Sequence, residues 1–341
     1  MSIKEQIVCW TKELIAIDSP TGFTEKASDY AVSTLKKMGF DPSTTRKGSV
    51  LAELGGDGDP LILTAHLDTL GGIVCEIKAN GRLRISNLGG LKAVNCETEN
   101  VRVYTRHNTV VDGCLQLCNA SSHVNPELTK TERTFETTEI VLDADTRCKE
   151  DTLKLGITNG CFVCFDPRFT VTETGYIKSR YLDDKLSVAI LFALAKQVAD
   201  GCLRLNRKVY LFLTTYEEVG HGGQGGLPED ATEILAVDMG CVGDGLEGDE
   251  RKVSICAKDA HGPYDYEVTT KLVSLAEKNG LNYATDVYLN YSSDAQAAVR
   301  SGYDLKHALI GPGVYASHGY ERGHVEGAEN TFELLKLYLA E

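Results

Sequence analysis

The sequence predicts an α/β protein with a mostly parallel central sheet flanked by helices. Short, continuously apolar runs such as Val209–Thr215 and Ile234–Val237 predict strands that are buried on both faces. Segments with apolar residues on one helical face alternate with these runs, which is typical of α/β folds. Residues 71–164 lack this alternation and predict a small all-β insertion. We therefore expect a main domain formed by residues 1–70 and 165–341.

Two amphipathic helices and two strands are predicted before the insertion. The N-terminal segment MSIKEQIVCWTKELIAI and residues Thr24–Met38 predict the helices, and Gly39 provides a C-terminal stop for the second. Ser49–Leu54 and Leu61–Ala65 predict strands joined by the turn GGDGDP.

The insertion is predicted to consist of short strands separated by Gly, Asn and Asp. Residues 119–138 contain few large apolar side chains and predict a mobile polar loop. Cys161 and Cys164 form a C-x-x-C between apolar residues. Because no second Cys or His pair is spaced to complete a zinc site, we interpret these cysteines as small buried thiols.

After the insertion the α/β alternation resumes. Tyr176–Tyr181 predicts a strand and Leu186–Val198 predicts an apolar helix. An irregular loop is predicted for residues 311–324, just before the last helix. The elements that complete the layers are strands near Val253–Ala257 and Ala308–Ile310 and helices around Asp265–Lys278, Asp294–Arg300 and Thr331–Ala340.

The composition excludes several classes of partner. The 341 residues carry a net charge of −14, and no cluster of Lys and Arg predicts nucleic-acid binding. No apolar run approaches the roughly 18–20 residues that a membrane span requires. The N-terminal segment lacks the features of a signal peptide, and eleven cysteines show no regular spacing. We therefore expect a cytoplasmic protein with reduced thiols.

Polar side chains follow several of the predicted strands. His66 and Asp68 follow the second strand, Glu217 and Glu218 follow Val209–Thr215, and Asp238 follows Ile234–Val237. Ligands bind beyond the carboxyl ends of strands in open α/β sheets, so these residues mark a candidate site. Because strand side chains alternate, Asp68 shares a face with His66 and can hold the ring from behind.

Two further positions offer the same chemistry. Asp183 and Asp184 lie between a strand and a helix, where one can cap the helix while the other binds a cation. His318 and His324 lie just before the last helix, and either can supply a second imidazole. Together these residues suit two divalent metals, with zinc, cobalt or manganese favoured over calcium. An unligated carboxylate would then accept a proton from a metal-activated water.

The chain resembles metallopeptidase family forty-two, the tetrahedral and glutamyl aminopeptidases. The resemblance runs through most of the chain and rests on the segments TAHLDTLGGIV, GITNGCFVCFDP, SRYLDDK, TYEEVG, LAVDMG and SSDAQAA. It implies a di-metal catalytic domain with a zinc-peptidase-like phosphorylase/hydrolase fold. It also implies that the insertion is a PDZ-like domain that helps to build homo-oligomers, from a dimer to a dodecamer.

The resemblance also implies a role for each candidate residue. Asp183 bridges the two metals. His66 and Asp238 complete the ligand set of one metal, and Glu218 with a C-terminal histidine completes the ligand set of the other. Glu217 is the general base, and Asp68 orients His66. His324 is preferred over its alternative, His318, because it lies seven residues before Thr331.

The sequence departs from the family pattern at two places. Thr69-Leu70-Gly71 replaces the usual E-I-G after H-x-D, and SHGYERGHVEG replaces the segment around the last ligand. We expect a metal-dependent aminopeptidase that hydrolyses N-terminal residues of short peptides. One alternative is a deacylase or a specialised dipeptide or amide hydrolase, with Arg322 as a carboxylate clamp. The other is a non-catalytic metal-binding scaffold.

Overall fold

A computed structural model describes residues 1–107 and 109–340 of the chain. The chain divides into two compact units. We call Met1–Asp68 together with Arg168–Glu341 the larger unit, and Thr69–Pro167 the barrel unit. The helices of the described residues are α1 (Ile3–Ile15), α2 (Glu25–Met38), α3 (Lys149–Lys154), α4 (Leu182–Ala199), α5 (Tyr266–Lys278), α6 (Asp294–Arg300) and α7 (Val325–Ala340).

The strands of these residues carry most of the alternation predicted from the sequence. In chain order they are β1 (Ser43–Thr44), β2 (Val50–Gly55), β3 (Leu61–His66), β4 (Gly71–Ile77), β5 (Leu83–Leu88), β6 (Asn100–Tyr104), β7 (Val110–Leu117), β8 (Thr138–Leu142), β9 (Phe162–Phe165), β10 (Thr170–Val171), β11 (Tyr176–Ser179), β12 (Val209–Thr214), β13 (Glu233–Val237), β14 (Gly240–Val242), β15 (Val253–Asp259), β16 (Gly262–Pro263), β17 (Tyr283–Val287), β18 (Lys306–Tyr315) and β19 (Glu321–His324).

The central sheet of the larger unit is mixed, so the prediction of a mostly parallel sheet is wrong. Its main path runs β1-β2-β12-β3-β13-β18-β19-β11-β10, with β14 to β17 attached beside β18. Strands β12, β3, β13 and β18 are parallel neighbours, whereas β2 pairs antiparallel with β12 and β19 pairs antiparallel with β18 and β11. Along the main path, parallel pairing is therefore confined to the centre, and β14–β18 and β15–β17 are further parallel pairs beside it.

Burial explains this division of the sheet. Every residue of β3, β12 and β13 is buried, as expected for strands covered by helices on both faces. In β2 buried residues alternate with partly exposed ones, which is typical of antiparallel strands near a sheet edge. The uninterrupted apolar runs of the sequence thus predict the parallel centre, and the alternating runs mark its flanks.

Helix α4 lies at the centre of the larger unit's core. It is buried from Leu182 to Ala195 and packs against α1, α7 and β3. Lys185 in its first turn is fully buried and donates from Nζ to the carbonyl oxygens of Leu14 at 3.0 Å and Ile17 at 2.5 Å. These bonds fasten the end of α1 to the start of α4, next to Asp183. No helix among the described residues is long and apolar enough to cross a membrane.

The segment after Ile310 corrects a second expectation. Residues 311–324 do not form one irregular loop, because β18 continues to Tyr315 and Glu321–His324 forms β19. Gly311 and Gly313 allow this continuation. A Cβ at Gly311 would lie 1.6 Å from the carbonyl oxygen of Asp238, and one at Gly313 would lie 2.1 Å from that of Asp249. The glycines mark close backbone approach within the sheet.

The barrel unit contains a closed β-barrel in the order β4-β5-β8-β7-β6-β9, together with the short helix α3. Cys161 and Cys164 are buried, as predicted. The segment between β7 and β8, which the sequence predicts to be a mobile loop, is held by local hydrogen bonds. Arg133 donates to the carbonyl oxygens of Leu128 and Thr131 and pairs with Glu97 at 2.8 Å.

Candidate metal centre

Three neighbouring parallel strands deliver side chains to one edge of the larger unit's sheet. His66 ends β3, Glu217 and Glu218 follow β12, and Asp238 follows β13. Since the strand order is β12-β3-β13, His66 lies between the other two positions. Its Nε2 is 3.8 Å from Glu217 Oε2. The carboxyl ends of the strands thus assemble the predicted residues in one place.

Asp183 completes this group from the start of α4. Asp183 and Asp184 have non-helical backbone angles, so the first turn opens and presents both carboxyl groups to the strand ends. Asp183 Oδ1 lies 3.0 Å from His66 Nε2, while its Oδ2 lies 3.5 Å from His318 Nε2. One carboxylate therefore faces two imidazoles through different oxygens.

His318, not His324, faces the cluster. His318 Nε2 is also 3.6 Å from Glu218 Oε2, and its side chain is 37% exposed. His324 is buried and both of its ring nitrogens contact the backbone: Nε2 lies 2.8 Å from the Thr174 carbonyl oxygen, and Nδ1 accepts from the Glu326 amide at 3.1 Å. The preference for His324 is therefore corrected. It rested on a helix start at Thr331, whereas α7 begins at Val325, directly after His324.

Asp68 organises the site in a way that differs from the prediction. The His66 ring is held by the backbone carbonyl of Asp68, which lies 2.8 Å from Nδ1, while the Asp68 carboxylate is 3.6 Å away. That carboxylate accepts hydrogen bonds from the amides of Glu217 at 3.1 Å and Glu218 at 3.4 Å, and from Thr21 Oγ1 at 2.6 Å. Asp68 therefore positions both the imidazole and the two glutamates.

Glu321 has the same function on the opposite side of the cluster. Its buried carboxylate accepts from the Asp183 amide at 3.1 Å and from the His318 amide at 3.0 Å. Burial, followed by repulsion from Asp183, raises the pKa of Glu321 to about 8. Sequence reasoning did not identify Glu321 as part of the site, because its contacts are with backbone amides that only the fold brings together.

The carboxyl groups of the cluster strongly perturb one another. Burial, and then repulsion from neighbours such as Asp238, raises the pKa of Glu217 well above its usual range, and burial and Asp183 do the same for Glu218. Burial and Asp183 raise the pKa of Asp238 to about 7. For Asp183, burial is outweighed by hydrogen bonds with His318 and His66, which hold its pKa below the usual range. Without a cation, several carboxyl groups are therefore driven toward the protonated form.

This donor set fits divalent cations. His66, Asp183 and Glu218 each present a ligand atom, and these atoms lie within 4.8 Å of one another, as do those of His66, Asp184 and Asp238. Asp184 accepts from the His66 amide through Oδ2 at 3.1 Å, while its buried Oδ1 has no hydrogen-bond partner among the residues that the structure describes. A buried carboxylate oxygen without a donor is costly unless a cation neutralises it. Imidazole and carboxylate ligands together suit zinc, cobalt or manganese.

The glycine-rich loop after Glu218 packs closely against the start of α6. The Asp294 carboxylate accepts hydrogen bonds from Thr214 Oγ1 and, at 2.6 Å, from the Gly223 amide. A Cβ at Gly222 would lie 2.5 Å from the Asp294 carboxylate, and one at Gly223 would lie 2.2 Å from its backbone oxygen. Lys47 donates to the carbonyl oxygen of His221 at 2.5 Å on the same loop. Asp294 and Lys47 thus hold the segment that bears the two glutamates.

Three non-glycine residues at the site adopt left-handed backbone conformations. Tyr181 has φ 67° two residues before Asp183, Tyr216 has φ 69° directly before Glu217, and His318 has φ 62°. Such conformations are disfavoured for residues with a Cβ and cluster at functional sites. They turn the chain sharply where each strand or loop delivers its polar side chain.

The sequence has relatives of known family. The model of the M42 glutamyl aminopeptidase family matches residues 48–334. YhfE of Bacillus subtilis (strain 168), provisionally named an aminopeptidase, is 44% identical over 330 residues, which cover 96% of this chain and 95% of YhfE.

Two solved structures share the fold. The aminopeptidase APDkam598 from the archaeon Desulfurococcus kamchatkensis superposes with a TM-score of 0.88 at 21% identity, covering 99% of this chain and 96% of that one. The TET1 peptidase of Pyrococcus horikoshii has a TM-score of 0.85 at 24% identity, with both chains fully covered.

At these identities the two structures establish the fold alone. The family match spans most of the chain and includes the strand ends and loops that carry the cluster, apart from those before residue 48. The chain belongs to the M42 glutamyl aminopeptidase family and is a peptide hydrolase.

Proposed function

We propose that this aminopeptidase removes the N-terminal residue of short peptides at a centre of two divalent cations, with Glu217 as the general base. The observation that carries the proposal is the position of the Asp183 carboxylate, whose two oxygens face different imidazoles at 3.0 and 3.5 Å. A carboxylate in this position can be shared by two cations.

The residues that would hold the cations divide around Asp183. His66 and Asp238 would hold one ion, Glu218 and His318 would hold the other, and Asp183 would be shared. Asp184 offers one more oxygen beside His66 and Asp238. Bound cations of this kind lower the pKa of a water molecule and polarise a substrate carbonyl. Zinc or cobalt is the expected metal, and manganese also suits the donor set.

Glu217 is suited to moving the proton. Its side chain is 15% exposed, more than that of Glu218 at 4%, so it can reach both water and substrate. Its raised pKa brings the proton affinity of the Glu217 carboxyl closer to the affinities of the attacking water and of the departing amine. Glu217 would take a proton from the attacking water and deliver it to the departing amine. The hydrogen bond from its amide to Asp68 fixes its backbone during both steps.

Replacing Glu217 tests this role. Glu217→Gln keeps the shape of the side chain but cannot accept a proton, so we expect kcat to fall by about 10²–10⁴-fold. Metal content, measured by elemental analysis, should remain that of the unmodified chain. Glu218→Gln is the matched comparison, because it should lose bound metal as well as activity. If Glu217→Gln turned over a panel of aminoacyl substrates within a few-fold of the original rate, the proposal would be wrong.

The structure does not favour the deacylase alternative. That alternative used Arg322 as a free clamp for a substrate carboxylate. Arg322 instead pairs with Glu250 at 3.1 Å and lies over the Tyr176 ring at 3.7 Å from its centroid. Family membership likewise argues against a non-catalytic scaffold.

We further propose that the chain assembles into a homo-oligomer through surfaces that include the barrel unit. The support comes from the Pyrococcus horikoshii TET1 peptidase, which is described as able to assemble into a tetrahedron or a large octahedral shell. Light scattering, measured as the protein elutes from a size-exclusion column, would distinguish a dimer from a dodecamer. A monomer at micromolar concentration would contradict the proposal.

A further inference from the structure

Asp294, the first residue of α6, binds the chain on both sides of the two glutamates of the candidate centre. Thr214 precedes Glu217 by three residues and donates to the Asp294 carboxylate from Oγ1. The amide of Gly223, which follows Glu218 by five residues, donates to the same carboxylate at 2.6 Å. A shift of Asp294 would move this segment from both ends. The alignment of the glutamates therefore depends on what holds the start of α6.

A buried chain of hydrogen bonds joins the residue before Asp294 to the hairpin formed by β15 and β16. The hydroxyl of Tyr264, which directly follows β16, lies 2.8 Å from Asp259 Oδ2 and 2.7 Å from Ser293 Oγ. All three residues are at most 4% exposed. Because a carboxylate only accepts, the Tyr264 proton goes to Asp259, and the Ser293 hydroxyl donates to the Tyr264 oxygen. Both bonds therefore have a fixed direction.

Ser293 occupies the position that normally caps a helix, but its side chain is used differently. Its backbone is extended, with φ −138° and ψ 168°, and its hydroxyl binds none of the first-turn amides of α6, all of which the structure describes. Serine is favoured at such positions because its oxygen can accept from those amides. Here the hydroxyl is bonded to Tyr264. Helix α6 is thus attached to the hairpin at the residue next to Asp294.

The turn of the hairpin is built around the same carboxylate. Asp259 Oδ1 accepts from the His261 amide at 2.8 Å, while Oδ2 accepts from Tyr264. The Ala260 amide donates to the carbonyl oxygen of Tyr291, two residues before Ser293, at 3.0 Å. The turn therefore contacts the segment that leads into α6 through its backbone as well as through the buried side chains.

We propose that Tyr264 is a positioning residue for the reaction, because it holds the start of α6 where Asp294 can align the loop that bears the general base. The Tyr264 hydroxyl contacts Asp259 and Ser293, so its influence on Glu217 passes through Asp294. Alignment matters because a general base must lie within hydrogen-bond reach of the proton that it takes. This inference rests on the proposed function, in which Glu217 moves the proton.

Tyr264→Phe tests this role, since it removes the hydroxyl and keeps the ring. Asp259 then loses one donor and Ser293 loses its acceptor, so the start of α6 is held less firmly. Because a displacement of about 1 Å can cost about 10²-fold in rate, we expect kcat to fall by about 10–10²-fold. KM should stay within about threefold of the original value, since the substitution removes no proposed ligand of the metals or the substrate. Metal content should be unchanged.

Tyr338→Phe is the matched control. Tyr338 is 3% exposed, and its hydroxyl donates to the buried carboxylate of Glu233 at 2.5 Å. Glu233 begins β13, whereas Asp238 follows the other end of that strand, about 16 Å away at about 3.3 Å per residue. Both substitutions remove a tyrosine hydroxyl from a buried carboxylate and should lower the free energy of unfolding to a similar extent. Only Tyr264→Phe should lower kcat.

Two further measurements separate positioning from a general loss of stability. Ser293→Ala removes the other partner of the same bond, so it should lower kcat by a similar factor, and adding it to Tyr264→Phe should have little further effect. Amide hydrogen exchange of residues 219–226, followed by mass spectrometry, should be about tenfold faster in Tyr264→Phe and unchanged in Tyr338→Phe. The exchange measurement does not depend on activity.

Three outcomes would overturn the inference. They are the same kcat for Tyr264→Phe and Tyr338→Phe, unchanged exchange of residues 219–226 in Tyr264→Phe, or a loss of metal from Tyr264→Phe. Ser293→Ala carries the same tests if Tyr264→Phe does not fold. Failure of the proposed function is a separate result, because the unmodified chain would then show no metal-dependent cleavage of aminoacyl substrates while the exchange measurement still tests the attachment of the loop.

Discussion

Two buried carboxylates, Asp68 and Glu321, give the candidate centre its geometry through the backbone. Asp68 binds the amides of Glu217 and Glu218, and Glu321 binds the amides of Asp183 and His318. Each therefore fixes two residues that carry a proposed ligand or base. Contacts of this kind hold the residues of a site in a precise arrangement.

The two C-terminal histidines provide a prediction at this scale. His318→Ala should lose one proposed imidazole ligand, and we expect reduced metal content and activity at least tenfold lower. His324→Ala should keep its metal, because the ring nitrogens of His324 face Thr174 and Glu326 and not the proposed ligands. Loss of the buried imidazole and of its two backbone hydrogen bonds should instead cost about 1–3 kcal/mol of unfolding free energy.

Elemental analysis and chemical denaturation of the two variants would check this pair. The two proteins should show opposite patterns, with metal lost in one and stability lost in the other. Retention of full metal content by His318→Ala, or loss of metal by His324→Ala at native stability, would contradict the assignment of His318.

Single residues could be predicted from sequence when the local pattern determines where they point. His66, Glu217, Glu218 and Asp238 follow apolar strands, and the strand order brings them together. The choice between His318 and His324 could not be made in this way, because it depends on where α7 begins.

At the scale of elements, the loop after Glu218 is set by its contact with α6. Gly222 and Gly223 leave no room for a Cβ beside Asp294. The Lys47 side chain holds the loop by donating to two of the loop's carbonyl oxygens. The loop is therefore fastened at its start by Asp68 and further along by Asp294 and Lys47. A glycine-rich loop in this setting is a tightly packed element and not a flexible one.

Gly223→Ala should disturb this packing. The new methyl group would lie 2.2 Å from the Asp294 carbonyl oxygen, so the loop or α6 must shift. Overpacking of this kind costs about 1–3 kcal/mol, and displacement of Glu217 should lower kcat as well. Gly243→Ala is the matched control, because a Cβ there has no neighbour within 4 Å among the described residues. Thermal denaturation and steady-state kinetics of both variants would check the prediction, and equal behaviour would contradict it.

The element predictions are accurate for the uninterrupted apolar runs and wrong where long-range pairing decides the structure. The apolar runs that became β3, β12 and β13 specify parallel strands, since both of their faces are covered. Strand direction at the flanks depends on long-range pairing, as for β19 beside β11, and no local pattern specifies it. The segment GPGVY was interpreted as a loop because Gly and Pro usually mark turns, although in β18 they permit close contacts within the sheet.

At the scale of the whole molecule, the centre couples stability to pH and to metal. In the metal-free chain, burial and then Asp183 raise the pKa of Asp238 to about 7 and that of Glu321 to about 8, against about 4 for carboxyl groups in an unfolded chain. The folded state thus binds these protons more tightly than the unfolded state. Its stability should fall as the pH rises from about 4 to about 8.

His318 contributes in the same direction. Burial alone would lower its pKa, but its interactions with Asp183 and Glu218 raise it to about 10. Because the unfolded value is about 6.5, this contribution is complete below that pH and is lost as the pH rises toward 10. Asp183 acts in the opposite direction, because its pKa is lowered in the folded chain. Its contribution to stability is present at neutral pH and is lost only in acid, below about pH 4.

Metal should therefore stabilise the chain more at pH 8 than at pH 6. Cations would relieve the carboxylate repulsion that is strongest at high pH, and protons compete with them at low pH. The measurement is the increase in Tm on adding zinc or manganese to chelator-treated protein at each pH, with magnesium as a comparison ion. An increase at pH 6 equal to or larger than that at pH 8 would contradict the prediction.

The hydrogen bond from Thr21 to Asp68 has a practical consequence for protein engineering. The turn between α1 and α2 contacts the segment that carries His66, and Ser19 Oγ also donates to the Leu67 carbonyl oxygen at 2.8 Å. The segment that precedes α2 thus supports the reaction machinery from behind, although it carries none of the proposed ligands. A truncation that begins at Thr24 would remove both of these hydrogen bonds and also the carbonyl oxygens of Leu14 and Ile17 that accept from the buried Lys185, so a deletion outside the ligand set would still reach the centre.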